Sequence, residues 1–205
     1  MTRSLTRPLI VAGCLVLALT VQPADAKPEV GKPAPDFSVA DTTGKTWSLA
    51  DLAGKGLILE WTNHDCPYVR KHYGSGNMQA LQKEARDAGY LWLSVISSAP
   101  GKQGHVTPAQ ADELTKSRGA APTAVLLDGD GAMGLAYGAK TTPNMFVIDG
   151  TGTLVYMGGI DDRPTTDPAD VERAENYVRL AMTDLAAGRP VSNPVTRPYG
   201  CSVKY

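Results

Sequence analysis

Two short apolar runs, Gly56 to Thr62 (GLILEWT) and Tyr90 to Ser97 (YLWLSVIS), constrain this chain most. Each is too short for a buried helix and is bounded by glycine or polar residues, so each reads as a strand covered on both faces. Helical patterns lie between and after them. Pro67 stands where a helix begins, Gly74-Ser75-Gly76 interrupts it, and Asn77 restarts it with Met78, Leu81, Ala85 and Ala88 on one face before Gly89. Thr107-Pro108-Ala109-Gln110 spells a capping box for a helix running to about Arg118. Thr123 to Leu127 reads as a third strand and Ala132 to Tyr137 as a short helix. Asn144 to Asp149 and Thr153 to Met157 form a hairpin around Gly150-Thr151-Gly152. Asp36 to Ala40 and Thr46 to Leu49 make a leading hairpin. Asp167 caps a final helix, and the stripe Val171, Ala174, Val178, Ala181 and Leu185 predicts one continuous element up to Gly188. Strands alternating with helices imply parallel pairing, and the closing hairpin adds antiparallel strands. The expected class is α/β, a three-layer fold with a mixed sheet and helices on both faces.

The two ends of the chain stand apart from this pattern. Arg3 and Arg7 precede an apolar run of 13 residues, Leu9 to Val21, and Ala24-Asp25-Ala26 follows as a small-x-small cleavage site. Residues 1–26 therefore read as a secretory signal peptide, too short for a membrane span, and the mature protein is expected to be periplasmic or secreted. Val11-Ala12-Gly13-Cys14 resembles a lipoprotein box, but the apolar stretch continues well past Cys14, which favours export without an anchor. Residues 27–187 then form the domain. In residues 188–205, Pro190, Pro194 and Pro198 recur every fourth position, forbidding a helix and favouring an extended arm. At about 3.1 Å per residue, such an arm carries Cys201 on the order of 40 Å across the surface. With 20 Lys and Arg against 21 Asp and Glu, the net charge of −1 leaves no basic footprint for nucleic acid.

Cys66 and Cys201 are the two cysteines of the mature chain. An even pair in an exported protein points to a disulfide or a redox couple, and four-ligand zinc chemistry has no clustered set. Cys66 follows a strand and precedes a helix, where the N-terminal end of the helix macrodipole stabilises a thiolate. His64, Arg70, Lys71 and His72 are placed to lower its pKa further, against the opposing charge of Asp65. The bland reading is an inert buried cysteine.

Trp61-Thr62-Asn63-His64-Asp65-Cys66-Pro67 after a strand, together with Thr141-Thr142-Pro143 before one, resembles a thioredoxin-fold redoxin. The run Tyr137 to Asp149 and the closing Tyr199-Gly200-Cys201-Ser202-Val203-Lys204-Tyr205 are similar to the peroxiredoxin-like branch of alkyl hydroperoxide reductase/thiol-specific antioxidant type. The resemblance implies a cis Pro143 facing Cys66, a Thr142 whose backbone meets an extended substrate, and Trp61 beside the thiol. It also implies a protein or small-molecule disulfide, or a peroxide, as substrate, with an external thiol reductant and no cofactor. Two departures matter. The second cysteine of thioredoxin falls on Val69, and the Pro and Thr of the peroxiredoxin Pro-x-x-x-Thr-x-x-Cys pattern fall on Leu59 and Asn63. Disulfide exchange is thus favoured over peroxide reduction, and Cys201 is the candidate resolving thiol. The pair is equally open to being a staple that pins the arm.

Two other function classes compete. His64, Cys66, His72 and Cys201 are soft ligands suited to copper(I), and a non-catalytic module with a structural disulfide needs no reactive thiol at all. Elsewhere the readings are plain. Trp47, Trp61 and Trp92, all on strands, belong to the core or its edge, His105 to a solvated loop, and Asp161-Asp162-Arg163 to a solvated turn. The glycine runs lack phosphate-loop spacing.

Overall fold

The computed structural model describes residues 27–52 and 54–205; the expected leader, with Cys14, lies outside them. In chain order the elements are β1 (Ser38–Ala40), β2 (Thr46–Ser48), β3 (Leu57–Trp61), α1 (Pro67–Gly74), α2 (Asn77–Asp87), β4 (Leu91–Ile96), α3 (Pro108–Ser117), β5 (Ala124–Leu127), α4 (Ala132–Ala136), β6 (Thr141–Thr142), β7 (Asn144–Ile148), β8 (Leu154–Gly158), α5 (Tyr177–Ala186) and β9 (Cys201–Ser202).

Alternation along the central strands divides the core in two. Leu57, Leu59 and Trp61 of β3, Leu93 and Val95 of β4, and Phe146 and Ile148 of β7 face one side, where they meet α4, the β1–β2 hairpin and the segment around Phe37. Ile58, Trp92, Met145 and Val147 face the other, against Val69 of α1, Leu81 of α2 and Val178 of α5. The sheet they form has the order β5-β4-β3-β7-β8. Helical crossovers make β3, β4 and β5 parallel, while β7 runs antiparallel to β3 and β8 antiparallel to β7. This is a thioredoxin-like mixed sheet with helices on both faces.

The single final helix is corrected. Pro168–Arg173 is a 3-10 segment capped by Asp167, the chain extends at Ala174, and Asn176 caps a separate α5 through the Arg179 amide. The physical reason lies outside the stripe. The backbone N–H groups of Tyr177 and Glu175 go to the Ile160 carbonyl and the Asp162 carboxylate, so the 160s loop takes donors that a continuous helix would use.

The proline-rich arm returns along β8. Met157 and Thr196 exchange backbone bonds with Pro194 and Met157 at 3.0 and 3.1 Å. The arm then crosses to β6, where Cys201 and Ser202 pair antiparallel with Thr142 and Thr141. Beyond, Val203 N–H donates to the Lys140 carbonyl and Lys204 accepts from Ala99.

Asn176→Ala is expected to destabilise the protein by about 1 kcal/mol, the usual cost of a lost N-cap. Urea unfolding checks this, and no change would mean that packing alone positions α5.

Candidate active site

The end of β3 and the start of α1 build the site from the backbone outward. Asn63 is buried; its side chain accepts from the Asp65 amide at 2.9 Å and its carbonyl accepts from the Cys66 amide at 3.1 Å, which closes the loop before the helix. Cys66 is the N-cap residue in extended conformation, and Pro67 opens α1 without wasting an amide. Cys66 is 0% exposed. The Thr142–Pro143 peptide bond is cis, the one such bond among the described residues. It places the Thr142 carbonyl oxygen 3.0 Å from the Cys66 sulfur.

The β6–β9 register brings the second thiol to the same point. Thr142 is the cross-strand partner of Cys201, which packs on the apolar cluster holding Cys66 and is partly exposed. Both cysteines are free thiols. Gly200 makes the approach possible: its φ is +135°, and a Cβ there would run into the Thr142 carbonyl.

Electrostatics separate the two sulfurs. Burial pushes the Cys66 thiol up, but hydrogen bonds from the Cys201 thiol, Thr142 and the amides of Cys201 and Val69 outweigh it and hold Cys66 below its ordinary value. Against these, the Thr142 carbonyl accepts from the protonated sulfur and favours it. Cys201 moves the other way, pushed up to about 11 by burial and then by its bond to, and the charge of, Cys66. The pair titrates as a unit, with one proton released early and one late.

The expected tuning residues are placed elsewhere. His64 and Arg70 engage Asp65 at 3.5 and 3.1 Å, and Arg70 is exposed. His72 is fully buried; Asn77 donates to its Nδ1 at 2.9 Å, and its Nε2 lies 3.1 Å from the Tyr199 hydroxyl. Burial and the neighbouring Lys71 cation depress His72 to about 3, so the ring is neutral and donates to Tyr199, which in turn donates to Asp161. Trp61 lies in the core, as its strand position implies, and not beside the thiol. It is 0% exposed on the opposite face from Cys66, tilted against Tyr137 and edge-on to Phe146, with its N–H on Ser97. Nor do His64, Cys66, His72 and Cys201 converge: no group of three or more His, Cys, Asp or Glu side chains suited to a metal occurs among the described residues.

Two features escaped the sequence reading. Asp161, expected in a solvated turn, is buried beneath the arm, 3.9 Å from Lys71 Nζ and bonded by Tyr199. Glu60 is fully buried on β3 and accepts from Trp92, Ser94 and Tyr73 at 3.0, 2.8 and 2.9 Å. Burial raises its carboxyl above the ordinary range despite these donors. A lone glutamate inside GLILEWT was the available signal.

Residues 30–157 match the AhpC/TSA family. The chain belongs to that family. Among curated proteins it is 33% identical over 118 residues to a thiol-disulfide oxidoreductase ResA of Bacillus cereus, covering 51% of this chain and 67% of that protein. It is 28% identical over 148 residues to the thiol:disulfide interchange protein DsbE of Yersinia pestis, covering 65% and 67%. An uncharacterized conserved protein from Geobacillus kaustophilus shares the fold at a TM-score of 0.73, with 23% identity over 86% of this chain and 92% of that one. This AhpC/TSA member is thus a thioredoxin-fold redoxin homologous to ResA and DsbE.

Two experiments follow. Cys201→Ala removes a donor to Cys66, so thiolate absorbance near 240 nm should appear at higher pH than in the native protein; an unmoved titration would take Cys201 out of the site. Glu60 keeps its proton in the fold at pH values where the unfolded chain has lost it. Its contribution is therefore full below the ordinary value of 4.5 and is lost as pH rises through the folded value. Native stability should fall relative to Glu60→Gln as pH rises above 4.5, and a pH-independent difference between the two would refute the protonated assignment.

Proposed function

We propose that this protein is an exported thiol–disulfide oxidoreductase whose Cys66 and Cys201 form an intramolecular redox couple. The observation that carries the reading is the Thr142–Cys201 register, which sets the second cysteine opposite the residue whose carbonyl meets the Cys66 sulfur, although the two cysteines lie 135 positions apart in sequence. The ResA and DsbE likeness supports the reaction class, and the leader pattern of residues 1–26 supports export. Leu59 and Asn63, standing where peroxiredoxins carry Pro and Thr, weigh against peroxide as the main substrate.

In the proposed cycle the dithiol gives two electrons to a disulfide, R–S–S–R. One protein thiolate attacks an R sulfur and expels the first R–S⁻. The other protein thiolate attacks the mixed disulfide and expels the second. The Cys66–Cys201 bond forms, and two R–SH carry away the protons. An external thiol runs the same exchange backwards to reset the protein. Cys66, the lower-pKa sulfur, is the better leaving group on reduction.

Equilibration in glutathione buffers with thiol trapping tests this. A midpoint between about −120 and −270 mV places the pair among exchange-active disulfides. Either Cys66→Ser or Cys201→Ser should abolish the two-electron transition completely. A midpoint below about −300 mV would make the bond a structural staple and overturn the reading.

A further inference from the structure

A strand edge offers backbone N–H and C=O groups to any extended chain that can reach it, and many proteins dock polypeptides this way. Beside Cys66 that edge is β6, and its partner strand is already present: Thr141 and Thr142 pair with Ser202 and Cys201 of the same chain. The arm lies hard against β6, since the Gly200 position leaves no room for even a Cβ before the Thr142 carbonyl. Cys66 is entirely covered, whereas Cys201 retains partial exposure.

The arm is fastened on both sides of Cys201. Upstream, Tyr199 donates to buried Asp161, meets His72, and packs edge-on against Tyr68 with ring centroids 5.7 Å apart. Downstream, the Tyr205 hydroxyl donates to the Ala139 carbonyl at 2.8 Å, and its ring sits on Gly131 and Gly134 where any side chain would collide.

We infer that β9 is a built-in occupant of the strand edge at Cys66, so that exchange at this centre is confined to low-molecular-weight thiols and disulfides that meet the Cys201 sulfur, with Tyr199 and Tyr205 as the residues that impose this selectivity. The inference rests on the redox-couple reading. Within it, Cys201–S⁻ attacks a small R–S–S–R and expels R–S⁻; Cys66–S⁻ then attacks the Cys201 sulfur of the mixed disulfide and expels the second R–S⁻. Two protein thiols become one disulfide, and R–S–S–R becomes two R–SH with the two protons.

The test compares two oxidants of the reduced protein: glutathione disulfide, and a disulfide-linked dimer of an extended dodecapeptide with its cysteine at the centre. Each rate is normalised to that oxidant's rate with free cysteine. Native protein should favour glutathione disulfide by about tenfold or more, and Tyr205→Ala should raise the peptide rate by a similar factor while changing the glutathione rate by less than about twofold. Tyr199→Phe, which removes only the hydroxyl, should act in the same direction. Mass spectrometry should find glutathione on Cys201 in Cys66→Ser and none on Cys66 in Cys201→Ser. Equal normalised rates in the native protein, an unchanged ratio in both tyrosine variants, or ready glutathionylation of Cys66 would overturn the inference. If neither oxidant yields a Cys66–Cys201 bond, the redox-couple reading itself falls.

Discussion

Cys66 meets a second thiol because the last residues of the chain run antiparallel to Thr141 and Thr142, in a register that sets Cys201 opposite Thr142. A shift of one residue would turn the Cys201 side chain to the other face of the ribbon and remove it from Cys66. Much of what surrounds this pairing serves to hold that register. Gly200 permits the close approach, the cis bond before Pro143 aims the Thr142 carbonyl at the Cys66 sulfur, and the Val203 and Lys204 bonds continue the ladder beyond it.

A two-residue ladder is too short to hold an arm by itself. The buried network upstream supplies what it lacks. Lys71, His72 and Asp161 are all out of solvent, and the Tyr199 hydroxyl is inserted among them. Removing one member of such a network strands the others without partners, so each contact in it is costly to break. Lys71 also donates to the Arg163 carbonyl at 2.7 Å, tying α1, which carries Cys66 at its start, to the loop beneath the arm. The helix that presents one thiol and the strand that presents the other thereby share one polar anchor.

The elements of the fold were legible from local signals because each had one: apolar runs for β3 and β4, a capping box for α3, glycines at the turns. The final helix misled because its periodic stripe is a local signal, while the break at Ala174–Asn176 is made by long-range bonds to the 160s loop. Asp161 was misread for the same reason: three charged residues in a row look solvated until an arm from the far end of the sequence covers the first of them. At the site, the Cys66 turn could be read from its place between a strand and a helix, the Thr-Pro loop came through the redoxin resemblance, and the prolines of the arm indicated that Cys201 could travel. Where it stops is a tertiary fact. The core position of Trp61 was legible from its strand, but a strand end does not by itself say which side of the sheet the next turn occupies, so its distance from the thiol was not.

The electrostatic consequence runs against the sequence expectation. Cations close in sequence to Cys66 are spent elsewhere, Arg70 on Asp65 at the surface and Lys71 on Asp161 and a carbonyl. Thiolate character is instead conferred by neutral donors, foremost the Cys201 thiol, acting where water is excluded and each hydrogen bond counts for more. The contact that brings the two thiols together thus also holds Cys66 below its ordinary value, which is a physical reason for the chain to fix so much of its C-terminal arm around a single residue.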